Sequence, residues 1–223
     1  MIPGIVAGQM RLGGTAEAVR PEMAGFATGA GNNASFAVPL PSGWLPGQLA
    51  VLAVNSSTGG GLGLTGWNEA SIVSNGNVYA RVLWRVLQVG DEAQVIIAGG
   101  YRAAICITFA VGTFASELPV SMLSAAVGSS SSSLTAPLSA YNHPAGQHYK
   151  LQFGYTRGFA LGVSSYPFAE ANALRGTGSS PTFNYVISSG GPFDGGLDPG
   201  STIQVFNDPT WVTRKIAIAG HPG

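Results

Sequence analysis

The sequence predicts an all-β protein, an antiparallel two-sheet β-sandwich of jelly-roll-like type with about nine or ten strands. Three observations support this fold class. Apolar and polar residues alternate in several segments, as in strands with one buried face. Turn dipeptides such as Pro46-Gly47 and Asn75-Gly76 separate these segments. Helical windows are interrupted before three turns, and only the short Ala169–Leu174 is moderately compatible with a helix.

The predicted strands follow one another at the short intervals of an antiparallel sandwich. In chain order they are Ser35–Leu40, Leu49–Asn55, Val78–Gln88, Gln94–Ala98, Arg102–Val111, Leu134–Ser139, His148–Thr156, Phe183–Ser188, Ser201–Phe206 and Thr213–Ala219. Leu49–Val54 and Ala103–Val111 are apolar on both faces, which predicts central strands covered on two sides.

Two other predicted strands alternate more strictly. In Val78–Leu87 the even positions are apolar, whereas Arg81 and Arg85 share the opposite face. In His148–Thr156 the polar face carries Lys150 and Gln152. These patterns predict one core face and one face that is wet or part of an interface. We expect the two arginines to bind carboxylates or carbonyls of the adjoining sheet or subunit.

The composition indicates a protein that lives in an assembly. Only 9% of the residues are charged, against about 25% in an ordinary protein. Ten basic residues balance ten acidic ones, so no basic field attracts nucleic acid. No run reaches the length of a membrane helix, and we expect a soluble protein without membrane insertion. The single cysteine, Cys106, lies in an apolar run and is expected to be a packed thiol.

We divide the chain into an N-terminal arm, residues 1–20, and a single β-sandwich domain, residues 21–223. The arm carries apolar residues without a partner strand, and its prolines and glycines prevent a stable helix. Its candidate partner-binding residues are Ile2, Ile5, Val6 and Met10. The arm either packs on its own sandwich or anchors the subunit on a neighbouring protein. We expect deletion of residues 1–20 to leave a folded body that no longer enters particles.

Residues 31–115 resemble a β-sandwich module of phage and prophage virion proteins. The matching segments are the Pro46–Val54 strand, the Thr65-Gly66-Trp67 loop, the aromatic Tyr79–Val86 strand and the Gly90-Asp91 turn. Met1–Arg11 is similar to the N-terminus of many short phage structural proteins. The resemblance implies a bacteriophage virion protein of the tail (fibre, tip or collar), located in the virion and bound to copies of itself and to other virion proteins.

Aromatic residues on loops are the candidates for host contact. Trp67 either closes the end of the sandwich or offers a platform on which a sugar stacks. Tyr166, Phe168 and Phe193 lie in a second loop-rich region. Besides a tail component with host adhesion, two other functions remain open. One is a capsid decoration or head-fibre protein, and the other is a carbohydrate-binding module. A host cell-surface glycan is therefore a candidate partner.

Catalytic patterns are sparse, and we expect no enzymatic activity and no cofactor. The chain contains no Gly-x-Ser-x-Gly pentapeptide, and His143, His148 and His221 have no spacing suited to zinc. Paired carboxylates for glycoside cleavage depend on their arrangement in space, which the sequence leaves open. We therefore predict no catalytic residue and no metal ligand.

Overall fold

The computed structural model describes residues 18–31, 35–57, 59, 62, 64–76, 78–98, 102–129, 131–143, 148–158, 162–177, 184–193, 196–198, 200–207 and 209–222. These residues form only strands and connecting segments, and no helix. The strands are β1 Met23–Gly31, β2 Ser35–Pro39, β3 Leu49–Ser56, β4 Asn68–Asn75, β5 Val78–Val86, β6 Gln94–Ala98, β7 Arg102–Phe109, β8 Val120–Gly128, β9 Ser133–Ala136, β10 Ser139–His143, β11 His148–Arg157, β12 Val163–Ser165, β13 Glu170–Thr177, β14 Asn184–Phe193, β15 Gly196–Asp198, β16 Ser201–Val205 and β17 Thr210–Ala219.

Two five-stranded antiparallel sheets form the body of the protein. The first sheet has the strand order β1-β7-β3-β5-β4, and the second sheet has the order β13-β14-β11-β17-β8. The predicted all-β antiparallel sandwich is therefore confirmed, but the described residues form 17 strands and not the nine or ten that the sequence predicted. The ten strands of these sheets are joined by seven shorter strands in three smaller sheets. Each main sheet takes its strands from one half of the chain. The structure therefore resembles a jelly roll only in its two-layer sandwich architecture and not in the order of its strands.

The core between the two sheets is built from alternate residues of their strands. Val51, Val82 and Ile107 face it from the first sheet, and Leu151 and Ile216 face it from the second. Aromatic contacts join the two layers as well, since the rings of Phe109 and Tyr149 pack edge to face with centroids 5.1 Å apart. Because both halves of the chain contribute to this cluster, they share one hydrophobic core.

Small sheets cover the outer faces of both main sheets. The first cover sheet, β2 and β6, packs Val38 and Ile97 against Leu52 and Cys106 on the outer face of the first sheet. The second cover sheet, β12-β16-β9, packs residues such as Ile203 against the outer face of the second sheet. The prediction that β3 and β7 are covered on both faces is thereby confirmed.

Two polar side chains of β11, on the face predicted to be wet or part of an interface, are buried. Lys150 and Gln152 of β11 are 1% and 0% exposed. The Gln152 side chain donates a hydrogen bond to the Leu134 carbonyl at 3.1 Å and accepts one from the Ser201 hydroxyl. Gln152 is thus an internal contact with the second cover sheet, and Lys150 is buried on the same face of β11.

Polar side chains connect the two main sheets at the end of the sandwich where β3 ends. The buried Asn55 Nδ2 donates to the backbone carbonyls of Thr156 and Tyr185, at 2.8 and 2.7 Å. Asn75 Nδ2 donates to the Gly128 carbonyl at 2.7 Å. These bonds link the first half of the chain to the second, because Asn55 and Asn75 belong to β3 and β4.

Candidate functional site

The Thr65-Gly66 turn places Trp67 directly before β4. Gly66 has a φ of +76°, a left-handed conformation that suits glycine. The first residue of β4, Asn68, is paired with Trp84 of β5, which fixes the backbone next to Trp67. Trp67 is half-buried and packs on the apolar cluster under the first cover sheet. One part of its ring is therefore held by the protein and the rest faces a cleft.

This cleft, which we call the Trp67 cleft, has a volume of about 500 Å³. Its buried apolar residues are Leu40, Leu87 and Val95. Its polar residues include Thr65 of the turn before Trp67, and from the end of β5, the following turn and the start of β6 they include Arg85, Asp91, Glu92 and Gln94. The arrangement combines an apolar floor, an aromatic wall and a polar rim, which is the usual make-up of a small-molecule site.

Charged groups on the rim are held in fixed positions. Arg85 contacts Asp91 with a distance of 2.8 Å between Nη2 and Oδ1. The second Asp91 oxygen accepts a hydrogen bond from the Gln88 backbone N–H at 2.7 Å. The Arg85 guanidinium also lies 5.9 Å from the centre of the Trp67 ring, within cation–π range. Asp91 therefore orients Arg85, and Arg85 in turn contacts the aromatic wall.

A second, smaller cleft of about 370 Å³ shares Trp67 and Thr65 with the Trp67 cleft, and its lining includes Glu69 and Arg81. Arg81 donates to Glu69 Oε1 at 3.1 Å and to the Gly59 carbonyl at 2.8 Å. The described partners of Arg81 and Arg85 are carboxylates and a carbonyl, as expected, but they do not belong to the adjoining sheet or to another subunit. The partners belong to the adjoining strand β4 and to loops of the same chain.

The other aromatic candidates lie on the opposite side of the sandwich, against the second sheet. Tyr166 packs on the cluster under the second cover sheet, and its burial raises the pKa of the phenol. The Phe168 backbone N–H donates to the hydroxyl of the buried Ser189. Phe193 is the last residue of strand β14 and not a loop residue as predicted, and its ring centre lies 3.0 Å from Lys150 Nζ. The structure therefore does not bring Tyr166, Phe168 and Phe193 together with Trp67.

The arm residues Ile2, Ile5, Val6 and Met10 lie outside the described residues. The chain is described from Ala18, and the Val19 backbone N–H donates to the His221 carbonyl at 2.9 Å. Glu22 N–H then donates to the Thr113 hydroxyl. Residues directly after position 18 are thus attached to the sandwich.

A further cleft, of about 470 Å³, was not anticipated from the sequence. It is lined by Arg20, Glu22, Tyr149 and Glu170 among others. The Tyr149 hydroxyl donates to Glu170 Oε2 at 3.0 Å. Burial, followed by the hydrogen bond to Glu170 and its charge, raises the pKa of Tyr149 well above the usual value. The alternation of β11 identified Tyr149 only as a core residue, so no sequence signal marked this contact.

Neither a cluster of metal ligands nor a membrane-spanning helix occurs in the part of the chain that the structure describes. No group of three or more His, Cys, Asp or Glu side chains there could hold a metal ion. The same residues include no helix of the length and apolar character required to cross a membrane.

No known protein family, no curated protein sequence and no solved structure matches the chain.

Proposed function

We propose that the chain is a structural protein of a bacteriophage particle, that it belongs to the tail, and that it assembles as a homo-oligomer. The assignment to a phage particle rests on the resemblance of residues 31–115 to the virion module. The organisation of that region supports it: its strands build the first sheet together with β1, its Gly66-Trp67 loop packs on the sheet's outer face, and β2 and β6 cover that face.

The observation that carries the assembly proposal is the outer edge of β8. Among the described strands, β8 pairs only with β17, so it is an edge strand of the second sheet. Its nine residues include no charge and no proline, and its one irregularity is a register shift opposite Lys215 and Ile216. Soluble monomers usually protect such edges with charges, prolines or covering segments. An edge strand of this length without charge or proline favours addition of a strand from another subunit.

Light scattering on the purified protein tests the oligomer. We expect a mass that is a multiple of the 22.7 kDa chain at micromolar concentration. Val127→Lys puts a charge on the exposed part of β8 and should shift the mass toward the monomer. Val89→Lys is the matched control, because Val89 is an exposed valine on a turn away from β8. A wild-type protein that stays monomeric counts against self-assembly.

Labelling of purified phage particles tests the location. Gold-tagged antibodies against the protein should bind the tail in negative-stain images. Labelling of the head would replace the tail assignment by the capsid decoration or head-fibre alternative. If peptides of this protein are missing from purified particles, the proposed virion function is wrong.

A truncation tests whether the N-terminal segment anchors the subunit in the particle, and the structure indicates where the chain should be cut. Deleting residues 1–17 keeps the Val19–His221 bond and the Glu22–Thr113 bond. We expect the shortened protein to fold, with unchanged thermal unfolding, and to be absent from particles when it replaces the full chain. Normal incorporation would show that the segment does not anchor the subunit.

A further inference from the structure

We propose that the Trp67 cleft binds a neutral saccharide. The proposal is independent of the virion function, since it rests on the shape and chemistry of one cleft and not on assembly. A saccharide has apolar C–H faces and a polar edge of hydroxyl groups. The site that recognises it therefore needs an aromatic surface next to fixed hydrogen-bonding groups.

The cleft provides both parts. Trp67 and the buried Leu40, Leu87 and Val95 supply apolar surface. Thr65 and Gln94, which are exposed on the rim, supply a hydroxyl and an amide that both donate and accept hydrogen bonds. A volume of about 500 Å³ lies within the range of roughly 300–1,000 Å³ that small-molecule sites occupy.

The site is organised before a ligand arrives, which lowers the entropy lost on binding. Pairing of Asn68 with Trp84 and the left-handed turn at Gly66 hold the backbone on either side of Trp67. The ion pair with Asp91 and the contact with the Trp67 ring hold Arg85. A ligand therefore does not need to order the aromatic wall or the charged rim.

The charges of the rim decide which saccharides fit. Arg85 is paired with Asp91, so its positive charge is already balanced at 2.8 Å. Glu92 adds a further acidic group to the same rim and leaves the lining with one more negative than positive charge. A sialic acid, a uronic acid or a phosphorylated sugar would meet this excess negative charge. An uncharged hexose or N-acetylhexosamine unit would instead place its hydroxyls against these acceptors.

Binding is tested on a glycan array and then in solution. Protein-detected NMR and tryptophan fluorescence would follow titrations with maltohexaose, cellohexaose, chitohexaose and mannohexaose at millimolar concentration. Sialyllactose and oligogalacturonate serve as the acidic comparison. We expect at least one neutral saccharide to bind, with perturbations centred on Trp67 and Gln94, and the acidic saccharides to bind at least tenfold more weakly.

Variants separate recognition from stability. Trp67→Ala should weaken binding at least tenfold, a change of about 1.4 kcal/mol. Trp44→Phe is the matched control, because Trp44 packs on the same apolar cluster but does not line the cleft. Gln94→Ala and Glu92→Gln alter exposed rim residues and carry the test if Trp67→Ala fails to fold. Gln94→Ala should weaken binding, whereas Glu92→Gln should reduce the discrimination against acidic saccharides.

Three results would overturn the proposal. The first is the absence of binding to every neutral glycan on the array and in the titrations. The second is binding that Trp67→Ala and Gln94→Ala leave unchanged, which would place the saccharide elsewhere. The third is a preference for acidic saccharides, which would contradict the role of the rim charges.

Discussion

Replacing Asn55 by alanine tests whether polar contacts hold the two main sheets in register. Asn55 lies in β3 of the first sheet, and its side-chain amide is fully buried. Both of its hydrogen bonds cross to the second sheet, where the Thr156 and Tyr185 carbonyls accept at 2.8 and 2.7 Å. The alanine variant removes both donors and opens a small cavity in the same position.

The expected loss follows from these two bonds. A buried hydrogen bond contributes about 1 kcal/mol net, and leaving its partner unsatisfied costs about 1–3 kcal/mol. Two bonds with partial relaxation of the carbonyls therefore give a loss of about 3 kcal/mol in the free energy of unfolding. For a chain of 223 residues this corresponds to a fall in Tm of roughly 6–12 °C.

Urea and thermal denaturation followed by circular dichroism measure this change. Asn68→Ala is the control, because Asn68 is exposed and the bond that its side chain makes to the Trp84 carbonyl is long at 3.4 Å. The control should stay within about 0.5 kcal/mol of the wild type. Equal stability of Asn55→Ala and Asn68→Ala would refute the inter-sheet role of Asn55.

An Asn55→Asp variant adds a pH dependence. A carboxylate at this position would face two carbonyl oxygens, whereas a protonated carboxyl could still donate to one of them. The pKa of the introduced group is therefore raised in the folded state. The stability that protonation supplies is fully present below the unfolded-state pKa and is lost as the pH rises through the folded-state pKa. The free energy of unfolding of Asn55→Asp, measured relative to that of Asn55→Ala at the same pH, should therefore be higher in acid than at neutral pH.

Three further predictions concern single positions. Burial raises the pKa of the Cys106 thiol to about 12, so a thiol reagent at pH 8 should label the unfolded protein and leave the native protein unlabelled; rapid native labelling would show that the core opens readily. Leu118 is exposed and has a φ of +45°, so Leu118→Asn should raise the free energy of unfolding by about 0.5–1 kcal/mol. Val89→Asn is the control and should not raise it, because Val89 is an exposed valine without a positive φ. A methyl group on Gly128 would clash with the Trp211 ring, so Gly128→Ala should lower the free energy of unfolding by about 1–3 kcal/mol in a urea titration. Gly191→Ala is the control and should have a smaller effect, because the nearest atom to its added methyl group is 3.4 Å away.

The interior of each main sheet could be predicted from the sequence, but the edges could not. All ten predicted strands correspond to strands of the structure, and they include every interior strand of the two main sheets, namely β3, β5, β7, β11, β14 and β17. The four edge strands β1, β4, β8 and β13 were not predicted. An edge strand is less completely covered, so its sequence needs fewer large apolar residues; β1, for example, is rich in glycine and alanine.

One edge strand also shows how local preference is overridden. Ala169–Leu174 was the stretch most compatible with a helix, yet Glu170–Thr177 forms β13. The register of β13 against β14 shifts between Glu170 and Ala173, and Ala171 adopts a φ of +50°. The buried Ser188 hydroxyl donates to the Ala171 carbonyl at 2.6 Å. This pairing with β14, the next strand along the chain, is a contact between two segments that the pattern of one segment alone does not contain.

The candidate cleft could be predicted only in part. The sequence identified Trp67, Arg85 and the Gly90-Asp91 turn as separate features. Their meeting depends on β6, whose Gln94 completes the rim, and on Leu40, which follows β2. Burial of Gln152 likewise could not be predicted from its own strand, because it depends on β9 and β16, which form elsewhere in the chain.

The separation of the two main sheets along the chain has a consequence for synthesis on the ribosome. The last strand of the first sheet ends at Phe109 and the last strand of the second ends at Ala219, so 219 − 109 = 110 residues separate them. At about 5–20 residues per second, translation of that interval takes roughly 5–20 s. During this time the inward face of the first sheet, with Val51, Val82 and Ile107, has no partner layer. The nascent chain must therefore avoid aggregation for seconds, and a chaperone that shields this face would raise the yield of folded protein.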